Sequence, residues 1–138
     1  MRLPHMVRKY QSSPCPCGGA SYATCCEPFH TGLASAPTAE ALMKSRYSAY
    51  ALGLSDYVQT TWHVSTRPPQ LDLSQEKDQG KWIGLMVKQH RPQGEKAEVE
   101  FVARYKAKVG PASRLHENSR FVFEGGNWFY VDGDLFDN

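Results

Sequence analysis

The sequence lacks a strong charge of either sign. Its 16 Lys and Arg against 14 Asp and Glu leave a net charge of +2 over 138 residues. That is no basis for holding nucleic acid or an acidic membrane by charge alone, so neither is an expected partner. Long apolar runs are absent as well: nothing approaches the roughly 20 residues of a bilayer-spanning helix. A P-loop, a dinucleotide-binding glycine fingerprint, a nucleophile elbow and an H-E-x-x-H pair are all missing, so no common catalytic class declares itself. There is no internal repeat or low-complexity tract. Met1 to Ser13 carries His5, Arg8 and Lys9 but no apolar core. A secretory leader is therefore not expected, and a reducing, cytoplasmic setting is. Cysteine is confined to one stretch, and none follows residue 26.

What is present suffices for one packed domain with a small appendage: 41% hydrophobic and 12% aromatic residues. Composition divides the chain near residue 33. Residues 1–33 are rich in Cys, Pro, Gly and Ser and show no regular period, whereas 34–138 are amphipathic. Thr38 is suited to cap a helix, with Glu40 in its first turn. Ala39, Leu42, Met43, Tyr47, Tyr50, Ala51 and Leu54 follow at helical spacing, and Gly53 marks the end. A second short helix is predicted from a Ser55-Asp56 cap through Tyr57, Val58 and Trp62. Pro68-Pro69 stops it, and one more helical turn fits within 70–80. The rest reads as strands. Trp82 to His90 has Ile83, Leu85 and Val87 on one face. In 95–106, Ala97, Val99, Phe101, Ala103 and Tyr105 alternate with charged residues. Leu115 to Glu124 and Asn127 to Asp132 flank a Gly125-Gly126 turn. Helices followed by an antiparallel meander predict an α+β fold, with the helices on one face of the sheet.

All four cysteines, Cys15, Cys17, Cys25 and Cys26, stand in C-x-C-x7-C-C spacing. Two close thiol pairs joined by a short loop suit one tetrahedral zinc ion. Gly18 and Gly19 permit the tight turn, and Pro14 and Pro16 stiffen the first pair. A disulfide framework would need an oxidising compartment. A thiol-redox pair would show C-x-x-C in a βαβ setting, and the spacing matches neither common ferredoxin pattern. His30, four residues after Cys26, could replace one cysteine in a Cys3His set. Four thiols already saturate the ion, which favours a solvated loop histidine instead. A closed site of four protein ligands has no position for a reacting water.

These residues carry a resemblance. CPCGGASYATCC (15–26) is similar to the SEC-C motif, the zinc-binding tail module of the preprotein translocase ATPase SecA. The intervening loop is one residue shorter than is common in that motif. It runs Ala20-Ser21-Tyr22-Ala23-Thr24 where the motif often has basic residues, so the SecA tail's contacts do not carry over. The blocks CCEPFHTG (25–32), ALMKSRYSAYALG (41–53), YVQTTWHVSTRP (57–68) and LHENSRFVFEGGNWFYVDGD (115–134) resemble YchJ-type bacterial proteins. The resemblance implies a structural zinc on the four cysteines. It also implies a nuclear-transport-factor-2-like (cystatin-like) domain, a cone of helices against a curved sheet.

Such a cone can hold a pocket, and the polar residues that could line it are Arg46, Tyr50, His63, Arg104, His116 and Glu117. Tyr57, Arg67, Ser119, Arg120 and Asp132 are further polar positions in the same segments. His63 fits either a general acid or base or a cap on helix carbonyls. His116 and Glu117 are strand neighbours, so a regular strand sends them to opposite faces, with Ser119 and Phe121 on the side of Glu117. Arg46 and Arg104 could hold an anion, or pair with Glu40, Glu98 or Glu100. The expected function is a zinc-binding interaction module whose knuckle contacts a protein partner. The alternative is a ligand-binding protein or small-molecule enzyme using the cone pocket, with His63 or His116 as acid/base.

Overall fold

A computed structural model describes residues 13–74 and 79–136. Residues 1–12 of the cysteine-bearing segment lie outside it. So do 75–78, on which part of the helical turn expected within 70–80 falls; residues 70–74 form no helix. The element order is a 3-10 turn (Tyr22–Thr24), α1 (Glu27–His30), α2 (Ala39–Leu52), α3 (Ser55–Thr60), β1 (Gly80–Gln93), β2 (Lys96–Ala107), β3 (Ala112–Glu124) and β4 (Asn127–Leu135). The strands form one antiparallel sheet in the order β1-β2-β3-β4. This is the α+β architecture that the sequence predicts.

Helix α2 starts and stops where its residues dictate. Thr38 Oγ1 accepts a 3.0 Å bond from Ala41 N, and Gly53 closes the helix in the left-handed region at φ 74°. Helix α3 departs from expectation. Ser55 lies inside it rather than capping it, and its Oγ instead accepts the Leu73 N–H at 2.9 Å. The helix ends at Thr60, because the chain beyond it turns onto the sheet. Trp62 pairs in parallel with Tyr130. His63 N donates to Tyr130 O at 2.7 Å, and Tyr130 N donates to Thr61 O at 2.9 Å. The end of α3 is thus fastened to the outer edge of β4.

Bulges curve the sheet. Ile83 and Lys88 are extra residues in β1 opposite β2, and Val131 is extra in β4 opposite β3. The bulge at Ile83 corrects the expected face of β1: Ile83 turns outward and is exposed, while Trp82, Leu85 and Val87 pack inward. Strand β2 alternates as expected, with Ala97, Val99, Phe101 and Ala103 buried on the inner face. The outer face is polar. There Arg91 pairs with Glu98, His116 with Glu100, and Arg120 with Asp132 and Asp134. One apolar cluster fills the concave side and joins Leu42, Met43 and Tyr47 of α2 to Val99 and Phe121 of the sheet. It also takes in Cys15, Cys17, Tyr22 and Cys26. The cysteine loop is therefore packed into the main core.

Candidate functional site

The cysteine loop is shaped by short local bonds. Cys15 N donates to Gly19 O at 3.0 Å and Gly18 N donates to Cys15 O at 2.9 Å, with Gly18 at φ 104°. The loop is anchored where Tyr22 N donates to Ser13 O at 2.9 Å. All four thiols are free, and their sulfurs lie within 4.8 Å of one another. Cys17 and Cys25 Sγ are 3.5 Å apart, Cys26 and Cys17 3.7 Å, and Cys25 and Cys26 4.0 Å. Four sulfurs placed tetrahedrally at about 2.3 Å from a zinc ion stand about 3.8 Å from each other. A disulfide would need about 2.0 Å. The spacing fits four ligands around one ion. Gly19 leaves the room the cluster needs, since a Cβ there would sit 2.6 Å from Cys25 Sγ.

Electrostatics agree. Without a cation, hydrogen bonds from Cys17 and Cys26 pull the Cys15 thiol well below its usual range. Bonds to Cys15 first and Cys17 second, with burial after them, push Cys26 far up. Burial, followed by the bond to Cys17, pushes Cys25 up to about 12. One thiolate is favoured, and further negative charge is resisted. A divalent cation removes that resistance, since the thiolates are its ligands.

The surroundings of the cluster include residues that sequence reasoning missed. Ser48, fully buried on α2, donates to Cys26 Sγ at 3.2 Å and lies 3.5 Å from Cys15 Sγ. Its signal was a pair of serines, Ser45 and Ser48, on the face of α2 that turns to the core. Tyr22 is also fully buried. His30 is neither a ligand nor a solvated loop residue. Its Nδ1 lies 2.7 Å from Tyr22 Oη and its Nε2 2.8 Å from Ser45 O. A carbonyl can only accept, so Nε2–H donates to Ser45 O and Nδ1 accepts the Tyr22 hydroxyl. The ring also stands edge-on to Tyr57 at 4.7 Å. Burial lowers its pKa, which keeps it neutral.

A second candidate site is a cavity of about 280 Å³ between α2 and the concave face of the sheet. Three of the predicted pocket residues, Arg46, Tyr50 and Glu117, line it, together with Ser119 and the rings of Tyr47, Trp62, Trp82 and Tyr130. His63, Arg104 and His116 do not. Arg104 is exposed on the outer face. His116 is on that face too, as strand alternation predicts, with Nε2 2.7 Å from Glu100 Oε2 and its ring stacked on Phe136 at 4.2 Å. His63 sits at the β4 edge, between Ser65 Oγ at 2.7 Å and Glu124 Oε1 at 3.1 Å. The acid–base reading of the cone pocket thereby loses both of its histidines. The expected ion pairs of Arg46 and Arg104 do not form either. Glu98 and Glu100 pair with Arg91, and Glu40 pairs with Lys44 and His90. Arg67 donates to Trp62 O at 2.8 Å and fixes the turn after α3.

Comparison with known proteins agrees with this arrangement. The family model of the YchJ middle NTF2-like domain matches residues 38–133. A UPF0225 protein of Cupriavidus metallidurans is 57% identical over 131 residues, covering 89% of each chain. One from Deinococcus radiodurans is 53% identical over 120 residues, covering 86% of this chain and 87% of that one. Among solved structures, a SEC-C motif-containing protein from Rhodopseudomonas palustris superposes with a TM-score of 0.80 at 34% identity. It covers 90% of this chain and 99% of its own. Another from Psychrobacter arcticus gives 0.74 at 30% identity, covering 94% and 86%.

Proposed function

We propose, for a chain that belongs to the UPF0225 family with its YchJ-type NTF2-like domain, that it is a cytoplasmic interaction protein built on a structural zinc. Cys15, Cys17, Cys25 and Cys26 hold the ion, and the knuckle they form meets a protein partner. The carrying observation is the four sulfurs within 4.8 Å, spaced as tetrahedral zinc requires. The SEC-C motif named for two structural neighbours supports zinc over other ions. Four thiolates fill the tetrahedron, so the ion supplies folding energy and does not activate water. Free thiols gathered for a metal suit a reducing compartment. Within the described residues no helix is long and apolar enough to cross a membrane.

A protein partner is favoured by the surface around the knuckle. Residues 13–26 contain no Lys or Arg, so they offer no positive charge to a phosphate backbone. Close behind them, Leu33 is 83% exposed and neighbours exposed Gly32, Ala34 and Ser35. Small uncharged residues around an exposed leucine suit a protein surface. Native mass spectrometry of protein made with zinc supplied is expected to show one zinc per chain, lost in Cys25→Ser. A metal-free wild type overturns the zinc reading. A photo-crosslinker at position 33 is expected to give one discrete protein adduct in cells, absent in Cys25→Ser. No adduct, with incorporation verified, overturns the partner reading and leaves the zinc reading standing.

A further inference from the structure

The cone cavity holds a charge with no ion-pair partner in contact. Arg46 is only 6% exposed. Its Nη1 donates to Val58 O and to Thr61 Oγ1, each at 2.7 Å. Its guanidinium carbon lies 4.6 Å from the Tyr130 ring centroid and 5.2 Å from that of Trp62. These contacts orient the fork, yet among the described residues no carboxylate comes within 4.0 Å of it. A buried cation with no counter-charge in contact, only Glu117 farther along the same cavity wall, is costly to maintain. A guanidinium has five N–H donors in a planar fork, more than Nη1 uses, and the fork matches a carboxylate.

Glu117, on the same cavity wall, is also built into place. Its Oε2 accepts from Ser119 Oγ at 2.6 Å and from Tyr130 Oη at 3.2 Å. Gly133 on the neighbouring strand leaves it space, since any Cβ there would collide with the carboxylate. Both bonds use one oxygen, and a carboxylate has further acceptor capacity on the other. The cavity therefore presents a cation and an acceptor within aromatic walls. At about 280 Å³ it lies at the lower edge of the roughly 300–1,000 Å³ of ligand pockets, which suits a small ligand.

We infer that this cavity binds a small carboxylate with an apolar body of about one ring and a hydrogen-bond donor near the acid group. The carboxylate meets Arg46, the body lies among Trp62, Trp82 and Tyr130, and the donor meets Glu117. An α-amino acid with a large apolar side chain has this chemistry. No bond is made or broken, and the site is one of recognition.

NMR titration of the zinc-loaded protein tests this, with the Trp62 and Trp82 indole N–H signals as reporters. L-Phenylalanine, L-leucine, 3-phenylpropionate and phenethylamine are the probes. Saturable shifts at both indoles are expected for at least one amino acid. Its binding should exceed that of 3-phenylpropionate, which lacks the donor, by about tenfold, with none detectable for phenethylamine. Glu117→Gln keeps the shape of the site and should abolish the tenfold preference. Arg46→Gln should remove acid binding; if that variant does not fold, the Glu117→Gln and phenethylamine comparisons still decide. The inference is overturned if no acid shifts the indoles saturably up to about 10 mM. It is equally overturned if phenethylamine binds as well as the acids, or if Glu117→Gln leaves the preference intact.

Discussion

His30 joins three parts of the molecule through one neutral ring: Tyr22 in the cysteine loop, the Ser45 carbonyl of α2, and the edge contact with Tyr57 of α3. This is the role of a strut, and a strut and a ligand fail differently when removed. His30→Ala leaves the buried Tyr22 hydroxyl without its partner, takes from the Ser45 carbonyl the donor it has besides its helical one, and opens a cavity, at an expected cost of about 2–4 kcal/mol. Bound zinc should remain at one per chain. Calorimetry and metal analysis together check this, and a stable variant that has lost its zinc would make His30 a ligand after all. The ring also fixes a direction for pH. Burial lowers its pKa below the ordinary 6.5, so the unfolded chain binds the proton more readily. The stability it contributes is complete above 6.5 and lost as pH falls from there toward the lowered folded value. His30→Gln should lack this share of the acid destabilisation, while thiolate protonation affects both proteins alike.

Helix α2 serves both sites, with Ser48 toward the thiols and Arg46 toward the cavity. The hydroxyl of Ser48 donates to Cys26, and support of this kind for a metal ligand is worth about 10–100-fold in affinity. Ser48→Ala is expected to weaken zinc binding within that range in competition with a chromophoric chelator. At one fixed saturating zinc concentration the melting temperature should fall with the affinity, reflecting the roughly 1.4–2.8 kcal/mol that a 10–100-fold weaker site forfeits. An unchanged affinity would reduce Ser48 to core packing. Much of this element was legible in the sequence: the Thr38 cap, the Gly53 stop and the apolar stripe are local signals, and the helix follows them. So was the alternation that sends His116 and Glu117 to opposite faces. The cysteine cluster was legible because metal geometry constrains spacing directly. What was not legible depends on distant partners. Ile83 faces outward because β1 must bulge to follow the curved sheet, and nothing local marks the extra residue. Trp62 and His63 leave α3 because Tyr130, far along the chain, offers them a strand edge. His30 reads as a loop residue until Tyr22 and Ser45 are brought to it.

At the scale of the whole molecule, the composition break near residue 33 invites the view of a knuckle attached to a self-sufficient domain. On that view, losing zinc would loosen the cysteine loop and leave the rest folded. The packing implies another outcome. Cys15, Cys17, Tyr22 and Cys26 are all buried, in one cluster with Leu42, Met43, Val99 and Phe121. Removing the ion leaves thiols that resist common ionisation in the centre of that cluster, and the loop cannot leave without exposing the inner face of α2. Zinc binding should therefore be coupled to the folding of the entire domain. With free zinc buffered at about 100 times its dissociation constant, the coupling stabilises by about 2.7 kcal/mol. That corresponds to about 10 °C in melting temperature for a chain of this length. Differential scanning calorimetry with and without a chelator should show one transition that moves as a unit. Two separated transitions, or a main transition indifferent to the chelator while amides of residues 13–30 lose protection from hydrogen exchange, would show instead that the loop is energetically independent. The interaction surface proposed at Leu33 would then owe its shape to the metal alone, whereas a single shifting transition makes that surface a property of the whole fold.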